Sequence, residues 1–302
     1  MFPPDNNVIS LYEEQYFNAW PMDFTRTAAD VVASDFSVLP FSFDSQFSQR
    51  DYSVWALYFR QTWLVPLIVA VVYCTDVFVG QFIMRSRKAY DLKGFLALWN
   101  LLLAVFSIIG TIKVVPYFLY TLVVNGPTYF VCRYAGASYG QGGEVSFWCL
   151  AFVLSKYAEL IDTAFLVLRK KAVPFLHWYH HATVMLISVY TMAVGGPSGI
   201  VMVAMNFFVH SVMYTYYFLA AVMDKPPRWG RIVTTLQIAQ MVIGSLMAVA
   251  IYVATVMVEG CYSVPSNNAT IAAIYLSYLV LFMRFYTQRY NKAAALAVQK
   301  SD

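Results

Sequence analysis

Seven long apolar stretches constrain this chain more than any other feature. They run approximately 63–84, 95–117, 146–168, 174–194, 199–222, 232–257 and 270–288. Each is close to the roughly 20 residues a helix needs to cross a hydrocarbon core about 30 Å thick. Composition agrees: 60% of the 302 residues are apolar and 12% charged, where a soluble domain carries about 25% charged residues. Lipid offers the backbone no hydrogen-bond partners, so such stretches must be helical. The expected fold class is an all-α polytopic membrane protein with seven transmembrane helices. No room remains for a second folded domain, so residues 1–62 are read as an N-terminal tail, 63–290 as the seven-helix domain and 291–302 as a C-terminal tail.

Lysine and arginine accumulate in cytosolic loops. Arg85, Arg87, Lys88 and Lys93 follow the first stretch, Arg169, Lys170 and Lys171 the third, and Lys225, Arg228 and Arg231 the fifth, with Arg289, Lys292 and Lys300 in the tail. The alternate loops hold only Arg133. The expected orientation is therefore an N-terminus outside or lumenal and a C-terminus in the cytosol. The N-terminal segment ("LYEEQYFNAW") lacks the basic and apolar regions of a cleaved signal peptide, which leaves insertion to the first transmembrane helix. Cys132 and Cys261 fall in two different lumenal loops, where an oxidising compartment would permit a bridge. Cys74 and Cys149 read as packing residues. The sequon Asn268-Ala269-Thr270 lies too close to the last helix for ready use.

Polar side chains are costly in a membrane helix and usually face an interior cavity. "KYAELIDT" sets Lys156, Glu159, Asp162 and Thr163 at three- and four-residue intervals, which on one continuous helix line one face. "FLHWYHHATV" sets His177, His180 and His181 on one face of the next helix, which starts at Pro174. "NFFVHSVMYTYY" sets Asn206, His210, Tyr214 and Tyr217 on one stripe, and "TTLQIAQ" adds Gln237 and Gln240. At about 1.5 Å per residue, all four groups reach a common layer roughly 10–20 Å inside the cytosolic end. Taken singly, each residue has a plainer explanation: an interhelical hydrogen bond worth about 1 kcal/mol, or a structural Lys156–Glu159 ion pair. Four consecutive helices converging on one layer point instead to a buried site. Lys113, Asp76 and Arg284 belong to no such stripe and read as structural.

Three chemistries compete for that layer. Neutral imidazole is a common metal ligand, but a di-iron membrane oxidase uses about twice as many histidines as the four here; a single zinc stays open, though without the HExxH pattern and its glutamate base. A transporter would need polar mid-membrane groups, yet the paired Gly/Pro breaks of transporter helices are lacking, and the last helix offers no lysine for a retinal Schiff base. Nucleophilic and acid–base chemistry remains, and without a serine or cysteine in a suitable setting the nucleophile would be imidazole itself.

The four motifs, "KYAELIDT", "HWYHH", "NFFVHSVMYTYY" and "TLQIAQ", stand in the order found in the membrane fatty-acid elongases, and roughly residues 152–245 resemble that family, most of all its saturated and monounsaturated-chain class. The resemblance implies an endoplasmic-reticulum protein whose helices 2–7 form an inverted-repeat barrel around an acyl tunnel. It implies condensation of acyl-CoA with malonyl-CoA to 3-ketoacyl-CoA, CO₂ and CoA, with no metal and no cofactor beyond these substrates. An acyl-imidazole would form on His180, assisted by His177 and His181, with His210 acting in malonyl decarboxylation. Lys156, Glu159, Asp162, Asn206, Tyr214, Tyr217, Gln237 and Gln240 would contact substrate, and Lys170, Lys171 and Arg228 would meet the CoA phosphates. The resemblance also implies a Cys132–Cys261 disulfide. Membrane lipid is the expected surround and nucleic acid is not a partner. A homodimer and contacts with the ketoreductase, dehydratase and enoyl reductase of the cycle are left open. Met247, Tyr252 and Tyr190 are candidates for closing the tunnel, and "AVQKSD" lacks the di-lysine retrieval signal of many relatives.

Overall fold

The computed structural model describes residues 42–262 and 264–291; the expected tails at 1–41 and 292–302 lie outside the described residues. Nine helices of eight or more residues carry the described chain: α1 (Gln49–Gln61), α2 (Leu64–Met84), α3 (Lys93–Asn125), α4 (Gly143–Ala158), α5 (Ile161–Leu168), α6 (Phe175–Ala193), α7 (Gly199–Val222), α8 (Gly230–Met257) and α9 (Pro265–Tyr286). Among the described residues there is no strand, only an isolated bridge between Ser48 and Gly142.

Five of these helices, α2, α3, α7, α8 and α9, are long and apolar enough to cross a membrane. Their outer faces remain uncovered, with Phe82 68%, Phe95 69% and Val256 68% exposed. A soluble monomer does not expose apolar surface on this scale, and the molecule is a multi-pass membrane protein. At 33 residues α3 is about 50 Å long. It packs along α7, where Gly110 lets the backbones approach: a Cβ at that position would collide with the Phe207 ring.

The expected single helix at 146–168 is instead two. Between α4 and α5 the chain tightens for one turn into i→i+3 bonding, Leu160 to Tyr157 (3.3 Å), Asp162 to Glu159 (3.1 Å) and Thr163 to Leu160 (3.2 Å). A 3₁₀ turn advances each side chain further around the axis than an α turn does. The polar residues after the break therefore face different neighbours from those before it.

The region before residue 63, read from sequence as tail, contributes to the core. Helix α1 opens with a capping box, in which Ser48 Oγ accepts from the Asp51 backbone and Asp51 Oδ2 accepts from the Ser48 backbone. Its inner face buries Tyr52, Ala56, Leu57 and Phe59. Just ahead of it Asp44 is fully buried and shares Lys113 with Glu144: the Lys113 Nζ lies 3.1 Å from Asp44 Oδ2 and 2.9 Å from Glu144 Oε2. Trp148 Nε1 donates to the same Asp44 carboxylate at 3.0 Å. Lys113 is thus structural, as read. Asp76 and Arg284, also read as structural, lie on exposed faces.

Cys132 and Cys261 form a disulfide, reinforced by the Tyr262 amide donating to the Cys132 carbonyl at 2.9 Å. Pro265 sits in the first turn of α9, a preferred place for proline, so α9 begins earlier than expected and Asn268 lies within that first turn.

Candidate active site

Where α4 ends, four side chains form a ring joined by three hydrogen bonds and one longer approach. Lys156 Nζ donates to Glu159 Oε1 at 2.6 Å and to Asn206 Oδ1 at 2.9 Å. The Asn206 amide nitrogen meets His210 Nε2 at 3.1 Å, and His210 Nδ1 stands 3.8 Å from Glu159 Oε1. Bonding capacity fixes the direction of each link. Lysine can only donate, so Asn206 Oδ1 accepts; the Asn206 amide then donates, and His210 Nε2 accepts. His210 is therefore a neutral imidazole whose proton sits on Nδ1, facing the Glu159 carboxylate. Lys156, Glu159, Asn206 and His210 are all buried, where a charge is tolerable only when paired. Ser155 Oγ adds a 3.1 Å bond to Glu159 Oε1.

The ring leaves bonding capacity unused on its inner side. Glu159 Oε2 and His181 Nδ1 are buried with no hydrogen-bond partner among the described residues. Lys156 has a third N–H, and Nζ faces the Phe152 ring at 4.2 Å. Such buried, unmatched polar atoms are uncommon and suit a group that arrives from outside.

The α6 histidines lie beside this ring, and Lys156 and His210 are close enough to His180 and His181 to interact electrostatically. His177 and His181 pack ring to ring at 4.4 Å, and His180 and His181 at 5.6 Å. Their environments differ. His177 Nε2 is held by Thr163 Oγ1 at 3.0 Å, itself bonded to the Tyr73 hydroxyl at 2.7 Å. His180 sits against the Tyr278 ring at 4.9 Å and near Phe282, and no hydrogen bond to its ring is found among the described residues.

The remaining expected residues divide sharply. Asp162, after the 3₁₀ turn, bonds to other partners: its Oδ1 accepts from Trp99 Nε1 at 2.6 Å and its Oδ2 from the Tyr214 hydroxyl at 2.8 Å. Asp162 and Tyr214 together brace α3, α5 and α7. Tyr217, placed by sequence on the same stripe, is 42% exposed and packs on Tyr216. Gln237 donates to Met213 Sδ at 3.2 Å, while Gln240 is buried beside Tyr275. Lys171 and Arg228 are exposed at the basic end. Lys170 directs its ammonium to the carbonyls of Arg85 (3.3 Å) and Arg87 (3.0 Å), tying the end of α5 to the end of α2. Its positive φ of 54° belongs to the helix stop, where Lys171 N bonds Leu166 O and Lys170 N bonds Val167 O.

Sequence reading missed Tyr73, Trp99 and Tyr278, each with a polar tip turned into the layer. Nothing in the pattern separates them from the other aromatic residues of a chain with 23 tyrosines and 7 tryptophans. Two of the residues considered for closing a tunnel face outwards. Tyr252 is 71% exposed. Tyr190 lines a lateral groove of about 690 Å³ between the α1–α2 corner and α9, its hydroxyl paired with Ser266 at 2.7 Å. Met247 is buried in the main core.

A bundle of apolar helices whose interior holds histidines, a paired lysine and unsatisfied polar atoms defines a polytopic membrane protein with a buried polar centre. The model for ELO: GNS1/SUR4 family matches residues 58–297, and the chain belongs to that family, the membrane fatty-acid elongases its motifs resemble. It is 34% identical over 264 residues to "Very long chain fatty acid elongase 3" of Homo sapiens, covering 87% of this chain and 94% of that one. Identity reaches 37% with "Very long chain fatty acid elongase 6" of Gallus gallus (83% and 92% covered) and of Drosophila melanogaster (89% of each).

Proposed function

We propose that this protein is a fatty-acid elongase that condenses acyl-CoA with malonyl-CoA to give 3-ketoacyl-CoA, CO₂ and CoA, using no metal or other cofactor. The observation that carries the reading is the Lys156–Asn206–His210–Glu159 cluster set beside two α6 histidines, His180 and His181, whose rings have no hydrogen bond among the described residues. Its setting is the endoplasmic-reticulum membrane, crossed seven times, with the N-terminus lumenal, the C-terminus cytosolic and helices 2–7 arranged as an inverted-repeat barrel. The exposed Lys171 and Arg228 lie at the end where CoA phosphates would enter a positive field.

In the first half-reaction a ring nitrogen of His180 attacks the thioester carbonyl. The N–C bond forms, the C–S bond breaks, and the imidazole proton leaves with the CoA thiolate. In the second, malonyl-CoA loses CO₂, and the electron pair of the broken C–C bond becomes a thioester enolate. The enolate attacks the acyl-imidazole carbonyl, the new C–C bond forms as the N–C bond breaks, and the imidazole takes up one proton from the medium. An acyl-imidazole hydrolyses readily, so the apolar shell that excludes water is part of the mechanism. Lys156, held by Glu159 and Asn206 with one N–H to spare, would stabilise developing negative oxygen without reorganising. His177, anchored through Thr163, orients its α6 neighbours.

The test is turnover by purified protein of palmitoyl-CoA and radiolabelled malonyl-CoA, wild type beside His180→Ala. Labelled 3-ketoacyl product from the wild type alone is expected. An absence of product across a panel of acyl lengths, with the wild type folded, would overturn the reading and favour a membrane transporter or a histidine-ligated metalloenzyme.

A further inference from the structure

Beyond the polar layer lies a small cavity of about 30 Å³, lined among others by Tyr52, Tyr139, Cys149, Phe152, Ser188 and Val203. Its position follows from helix spacing. Phe152 is one turn from Lys156 on α4 and stacks on its ammonium, Val203 is three residues from Asn206 on α7, and Ser188 is two turns from His181 on α6, about 10 Å along the axis. The cavity is therefore in line with the ring, on the side away from the basic loops. Its lining is almost entirely apolar, and it includes Met192 and Met202, whose unbranched side chains repack easily.

One residue of its wall comes from outside the family match. Tyr52, 1% exposed, belongs to α1 and precedes residue 58, where the match begins. Its ring meets Tyr139 edge to face at 6.3 Å. Gly140 packs against it so closely that a Cβ there would stand 2.7 Å from the Tyr52 ring. The segment that delivers Tyr52 is fastened just ahead of it, by the capping box at Ser48 and by the buried Asp44–Lys113 pair. An aromatic ring in the wall of an apolar cavity, on a helix held this firmly, can act as a stop.

We propose that Tyr52 sets the length of acyl chain the site accepts, by meeting the methyl end of a long acyl chain whose thioester lies at the ring. This rests on the elongase reading and assigns to α1, which lies largely ahead of the matched family region, the limit of its substrate range. Replacing the phenol by a methyl group opens the wall, so Tyr52→Ala extends the range, while Tyr52→Trp shortens it.

The experiment compares condensation rates of full-length wild type, Tyr52→Ala and Tyr52→Trp across saturated acyl-CoAs of graded length, with Tyr52→Leu replacing the alanine variant if that one fails to fold. Tyr52→Ala or Tyr52→Leu should raise the rate on the acyl-CoA two carbons beyond the wild-type limit about tenfold relative to the wild type's best substrate, the ratio expected for seating two more buried methylenes. Tyr52→Trp should lower the rate on the longest wild-type substrate by a similar factor. Unchanged length profiles in folded, active variants would overturn the assignment of Tyr52 and leave the elongase reading standing. A wild type inactive on every acyl-CoA would overturn both.

Discussion

Two buried lysines sit in differently completed surroundings. Lys113, on α3, lies between the carboxylates of Asp44 and Glu144, with both members of its Asp44 pair fully inaccessible. Lys156, on α4, is just as deeply placed but is shared between one carboxylate oxygen and one amide. Around it Glu159 Oε2 and His181 Nδ1 have no partner among the described residues. Burial of charge is common to both, so burial alone does not mark a site. What separates them is unmet bonding capacity beside histidine, which only the second centre has.

Substitutions can break this comparison at either end. The largest effect should come from His180→Ala, with a loss of condensation of about 10³–10⁴-fold, the scale of a catalytic acid–base or nucleophilic group, and a melting temperature near that of the wild type. Fluorescence-detected thermal unfolding alongside turnover checks both. Next comes Lys113→Ala, which leaves two carboxylates buried without their cation. A loss of about 3–5 kcal/mol of stability is expected, with the rate per folded molecule unchanged; a selective loss of turnover would show that the two lysines do not differ as described.

Asn206→Ala should fall between these classes. It removes a hydrogen bond from a charged donor, worth about 1.5–3 kcal/mol, and releases His210 from its fixed tautomer, so turnover should drop roughly ten- to a hundredfold with a modest loss of stability. Trp99→Phe should have the smallest effect. It takes one donor from Asp162 while Tyr214 remains, costing about 1.5 kcal/mol of stability, with turnover within about threefold of the wild type, as expected of a bracing contact.

The sequence made the layer legible because the polar residues stand out against apolar helices: Lys156, Glu159, His180, His181, Asn206 and His210 do come together. Helix periodicity failed where the helix itself changed. The tightened turn after Glu159 sends Asp162 toward Trp99 and Tyr214 and sends Thr163 toward His177, a divergence that a count of three and four residues does not reveal. The two expected spans that do not meet the criteria for crossing a membrane, 146–168 and 174–194, are those that carry Lys156, Glu159 and three of the histidines. Residues 42–61 were misread because a polar, aromatic segment resembles a tail until its partners are known: Asp44 finds Lys113, and Tyr52 finds Gly140 and Tyr139. Tyr252 was misassigned because an aromatic residue in a membrane helix faces lipid as readily as the interior.

The central claim is that an acyl group resides on α6 between the two half-reactions. The most direct measurement is rapid-quench peptide mass spectrometry of wild type and His180→Ala after exposure to acyl-CoA with malonyl-CoA withheld. The account predicts an acyl adduct on the α6 peptide containing His180 in the wild type, removed on addition of malonyl-CoA and missing from His180→Ala. An adduct that persists in His180→Ala, or an active wild type that never forms one, would contradict it.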